Sequence, residues 1–126
     1  MIDLKTNSLF KVKEIEKENI DNLLTNYLID GENIELYLGN KNYKFIFTNH
    51  RIIIITHVGL TTSKLDITSI SYKKITAYSV ETKGEFLDKD ALIELDFDDF
   101  GLLKLQIITD IDIRLISKII SESLFN

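Results

Sequence analysis

The chain has 126 residues, 44% of them apolar, with no cysteine or proline and a formal net charge of −5. That length holds one domain, able to bury roughly two-thirds of its unfolded surface. Disulfides and thiolate metal sites are excluded, and the negative charge disfavours nucleic acid, whose binding is mostly phosphate neutralisation.

The first element is read as a helix over 10–28. Val12, Ile15, Ile20, Leu23, Leu24, Tyr27 and Leu28 recur near the 3.6-residue period, and Asp30-Gly31 follows as its exit. From residue 33 the period drops to two: Ile34, Leu36 and Leu38 mark a strand, and Gly39 to Asn42 a turn. Tyr43 to Thr48 and Arg51 to Thr56 form the next two strands, bent at Asn49-His50. His57 to Lys64 reads as a loop, Leu65 to Ile70 and Lys74 to Thr82 as strands, and Lys83 to Asp90 as a polar connection. Ala91 to Phe97 and Leu102 to Ile108 flank the turn Asp98 to Gly101. A closing helix over 110–124 is expected, with Thr109 or Asp110 as N-cap and Ile113, Ile116, Ile119, Ile120 and Leu124 as its apolar stripe.

Three pieces of the middle carry a family pattern. FTNHRIIII (Phe47 to Ile55) resembles the aromatic-Thr-Asn-basic-Arg run of the bacterial pleckstrin-homology (PH) domain family. GLTTSK (Gly59 to Lys64) resembles that family's Gly-Leu-Thr-Gly-Lys-Lys loop, with Thr62 and Ser63 in place of Gly-Lys. SISYKKITAYSVET (Ser69 to Thr82) resembles its Ser-Ile-Pro-Tyr and Ile-Thr-x-Phe-Ser-Val-Glu-Thr signatures, with Ser71 at the proline and Tyr43-Lys44 where an Arg-Asp pair is usual. The resemblance implies a mainly β fold with flanking helices. The expected form is a PH-like antiparallel barrel or sandwich of seven strands capped by a C-terminal helix, plus an N-terminal helix. Residues 1–126 then form a single domain, with a helical extension at 1–30 and a PH-like core at 31–126.

Each candidate site competes with a plainer reading. Lys41, Lys44 and Arg51 lie on one predicted hairpin and would bind an anion or lipid headgroup if they converged, with Lys64, Lys73 and Lys74 as further cations. In a chain with 13 lysines, scattered surface cations are the simpler account. His50 and His57 share no zinc-ligand pattern, and Asp96, Asp98, Asp99 and Gly101 lack the twelve-residue spacing of a calcium loop. Glu81 and Glu85 read as surface charges. No nucleophile elbow, P-loop or HExxH motif occurs, so neither catalysis nor a cofactor is expected.

Ile52 to Ile55 is apolar on both faces of a strand that should alternate. Ile53 and Ile55 are taken as inward. Ile52 and Ile54, with Leu102 and Ile108 on the last strand, then become candidate oligomer contacts. The function expected is a non-catalytic, self-associating protein-interaction scaffold in the cytoplasm, a cyclic homo-oligomer with an unidentified protein partner. The alternative is a module binding lipid headgroups at a membrane surface. No apolar run approaches the roughly 20 residues that span a bilayer, and no secretory signal is expected.

Overall fold

A computed structural model of the chain describes residues 1–6, 8–58, 64–83 and 90–125. Eight strands among these residues form one curled sheet, in the order β5-β4-β3-β2-β1-β8-β7-β6. They are β1 Leu9–Glu14, β2 Ile34–Gly39, β3 Tyr43–Thr48, β4 Arg51–Val58, β5 Lys64–Ser71, β6 Ala77–Glu81, β7 Leu92–Asp96 and β8 Leu102–Ile107. Helix α1 spans Lys17–Leu24 and α2 spans Ile113–Phe125. Neither helix is long and apolar enough to cross a membrane.

The seven expected strands are present, and the eighth is the correction. Residues 9–14, read as the start of a helix, form β1, which pairs antiparallel with β2 and parallel with β8. Phe10 and Val12 point into the core while Lys11 and Lys13 point out, a period of two inside a stretch that also fits 3.6. Pairing on both edges decides between the periods. The helix shrinks to α1, which has no side-chain cap at Glu16, and Gly31 takes φ +80 well beyond its end.

Packing follows alternation. Ile52 and Ile54 join Phe45, Phe47, Leu103 and Leu105 in the main core, where Ile113, Ile116, Ile119 and Ile120 of α2 close one side. Ile53 and Ile55 face the other way and pack with Ile46 under Ile20 and Leu24 of α1. The inward and outward assignments of this run were therefore reversed. The capping residue of α2 is also displaced: the Asp112 carboxylate accepts the Arg114 N–H at 3.1 Å, a role expected of Thr109 or Asp110.

Between β7 and β8 the chain turns through Asp98–Phe100 to Gly101, which takes φ +121 and ψ −171, a region open essentially to glycine alone. A Cβ there would lie 2.9 Å from the backbone of Leu4, which bridges to Gly101 and is itself buried. Gly101→Ala should cost about 2 kcal/mol from strain and displaced packing. Thermal unfolding of the variant checks this, and an unchanged midpoint would show that the turn relaxes freely.

Candidate functional site

Strand geometry first separates the candidate cations. Lys44 pairs with Ile55, four residues along β4 from Arg51, so the two lie about 13 Å apart at the usual rise per residue. The Lys44 ammonium donates to the carbonyl oxygens of Asn40 and Lys41 in its own turn, and burial lowers its pKa. Lys41 is exposed on that turn. Lys64 opens β5, whereas Lys73 and Lys74 lie beyond its far end. The structure does not gather these residues into an anion pocket.

Arg51 has another task. Its guanidinium donates Nε and Nη2 to the two oxygens of Glu32, each at 2.9 Å, with Nη2 also reaching the Tyr27 carbonyl and Nη1 the Ser69 hydroxyl. Glu32 also accepts the Thr48 hydroxyl at 2.7 Å and the Ile29 N–H at 3.1 Å. The Thr48 Oγ accepts the backbone N–H groups of His50 and Arg51, and the buried Tyr72 hydroxyl donates to the Thr48 carbonyl at 2.7 Å. The TNHR and SISY segments therefore form one clamp, fastening the β3–β4 bend to the chain after α1. Burial raises the pKa of Glu32, but the bonds from Arg51, Thr48 and Ile29 outweigh it and hold the carboxyl at about 2.

The outer face of β4 is covered in a similar way. The Tyr37 hydroxyl donates to Asp21 of α1, and Lys17 lies 5.6 Å from the centre of the Tyr37 ring. Burial and the nearby Asp21 carboxylate push the Tyr37 phenol up to about 12.

These positions correct the candidate interface. Ile52 and Ile54 are 0% exposed and unavailable to a partner, while Leu102 is half-buried and Ile108 is 39% exposed. His50 and His57 are exposed but sit seven residues apart along one strand region, too far to share a ligand. Asp98 and Asp99 lie in the β7–β8 turn. The Thr62 and Ser63 loop positions and Glu85 fall outside the described residues.

A cleft of about 690 Å³ lies between the end of β5, the short helical turn Tyr72–Lys74 and the β7–β8 turn. It is lined by Ile70, Phe97 and Phe100, by Thr68, Ser69, Ser71 and Thr76, and by Met1. Lys73 and Lys74 of the helical turn and Asp98 and Asp99 of the β7–β8 turn also line it. Neither histidine lines it. The two charged pairs are far apart in the sequence, and the curl of the sheet brings them to one opening.

Comparison with known proteins gives a consistent result. The family model described as "Bacterial PH domain" matches residues 3–124. The uncharacterized protein YjqA of Bacillus subtilis (strain 168) is 35% identical over 72 residues, a match spanning 57% of each chain. A DUF1696-family protein with a pleckstrin-homology domain from Shewanella loihica PV-4 has a TM-score of 0.70 at 30% identity, over 90% of this chain and 97% of that one. A pleckstrin homology domain from Shewanella amazonensis SB2B has a TM-score of 0.61 at 30% identity, over 90% and 92%.

Proposed function

This chain belongs to the bacterial PH domain family, and on that premise we propose that it is a non-catalytic protein-interaction module that self-associates. The observation that supports this reading is the open sheet: among the described residues, β5 pairs with β4 alone and β6 with β7 alone. An edge strand offers a row of backbone donors and acceptors, a ready template for another strand. Contact of β6 with β6 of a second copy is two-fold, the smallest cyclic assembly, and leaves β5 free. Ile108 supplies an exposed apolar position on the same molecule.

Light scattering at tens of micromolar protein should give about twice the 14.6 kDa mass of one chain. A mass of 14.6 kDa at that concentration ends the self-association reading. Flotation with anionic vesicles should leave the protein unbound, because Lys41, Lys44 and Arg51 do not converge. Recovery of the protein with the vesicles would instead favour the lipid-headgroup alternative.

A further inference from the structure

We propose that the cleft beside β5 is a strand-addition site, where an extended segment of a partner protein pairs with the outer edge of β5 at Ser69–Ser71. Four residues of β5 line it. Thr68, Ser69, Ile70 and Ser71 are consecutive. Successive side chains of a strand point to opposite faces, so a cleft lined by four in a row runs along the strand's edge. The other edge of β5 is filled, because β4 is in register with it from Val58↔Lys64 to Arg51↔Ser71. The cleft therefore lies where an incoming strand would find backbone groups to bond.

The ends of this window are set by the fold. Upstream, the Ile2 N–H reaches the Thr68 hydroxyl at 3.4 Å and the N-terminal ammonium pairs with Asp66 at 2.7 Å, so the chain's first residues lie against that end of the strand and Met1 borders the cleft. Downstream, Ser71 accepts the Lys73 N–H and the chain turns away through Tyr72–Lys74. Ser69–Ser71 remains, beside a cleft within the range of about 300–1,000 Å³ typical of ligand sites.

The lining defines the occupant. Phe97 and Phe100 meet edge to face, 6.3 Å between ring centres; Phe97 and Ile70 are buried in the main core, and the half-buried Phe100 ring gives the cleft an apolar surface that suits an apolar anchor. Lys73 and Lys74 favour an acidic residue on their side, and Asp98 and Asp99 a basic one on theirs. Among the described residues no ion pair crosses the cleft to satisfy these charges internally. Asp98 and Asp99 in the lining and the net charge of −5 oppose a phosphate-rich ligand, so a mixed-charge peptide strand is the fitting chemistry. This inference rests on the interaction-module reading but not on self-association.

The test is selection of a phage-displayed random dodecapeptide library on the full chain. Enriched sequences should carry an apolar residue with an acidic neighbour, and a synthetic peptide made from them should slow amide exchange at Ser69–Ser71. Its affinity should fall about tenfold or more in the Lys73→Glu/Lys74→Glu double variant, whose exposed positions leave the fold intact. The same peptide should be unaffected by Lys118→Glu on α2. Absence of enrichment, binding indifferent to the double charge reversal, or unchanged exchange at β5 would each overturn the proposal. Enrichment of sequences matching Ala77–Glu81 would assign the edge to a second copy and overturn it too. A monomer in light scattering that still binds the peptide would sink self-association alone.

Discussion

Glu32→Ala should remove roughly 3 kcal/mol of stability at neutral pH, and that loss should fade in acid. The side chain of Glu32 is wholly buried while that of Arg51 is 25% exposed, so the pair is shielded from water mainly on the carboxylate side. Removing the carboxylate takes the counter-charge from the guanidinium, which keeps only the Tyr27 carbonyl and the Ser69 hydroxyl, and leaves the Ile29 N–H without its acceptor. Breaking a buried pair from one side costs more than the pair itself contributes, because the abandoned group stays desolvated.

The pH dependence follows from the depressed carboxyl. Unfolded, Glu32 titrates near 4.5; folded, it titrates at about 2. The unfolded chain therefore takes up the proton first as pH falls. The stabilisation linked to Glu32 is complete above about 4.5 and is lost as pH drops toward 2. That interval corresponds to roughly 3 kcal/mol, a large share of the 5–15 kcal/mol typical of a domain. Urea unfolding of the native protein and the variant at pH 7, 4 and 2.5 measures the gap directly. A gap constant with pH would mean that Glu32 contributes through shape and not through its charge.

This clamp marks the limit of what the sequence made legible. The TNHR and SISY segments were recognisable as a pattern, but their shared purpose needs Glu32, a residue in a loop that no periodicity marks. Strands β2 to β5, β7 and β8 were readable because alternation and turn residues agree along Ile34–Ser71 and Ala91–Ile107. Strand β1 was missed because Phe10, Val12 and Ile15 satisfy both periods, and only a parallel partner 90-odd positions away, β8, selects one. The signal was present in the alternating FKVK of Phe10 to Lys13. In the tetra-isoleucine run, composition announced two buried faces but could not say which belonged to the main core. Four identical side chains carry no phase, and the register with β3, Phe45↔Ile54 and Phe47↔Ile52, supplies it. The cleft had no sequence signature at all, being made by the meeting of two turns and an edge.

Helix α1 is the cover that makes a two-faced strand tolerable in a single chain, and Leu24 is its deepest residue. Leu24 is 0% exposed and Ile20 6%, both against Ile46, Ile53 and Ile55. Leu24→Asp should lift the helix, since a buried carboxylate without a partner cannot be tolerated in that contact. The cost is set by the lost packing, about 3 kcal/mol or more on the scale of buried leucine truncations. The main core lies on the opposite face of the sheet and should keep its β structure. What changes is the surface: three isoleucines become exposed beside one another, an apolar patch of the kind that drives association. The variant should therefore keep its far-UV circular dichroism while growing in mass with concentration. Ile54→Asp makes the contrast, because it places a carboxylate among Phe45, Phe47 and Leu103 and should abolish the fold outright. A Leu24→Asp protein that stayed the same size as the native protein across a wide concentration range would show that α1 is dispensable as a cover. The outer face of β4 would then have to be shielded by some other part of the chain.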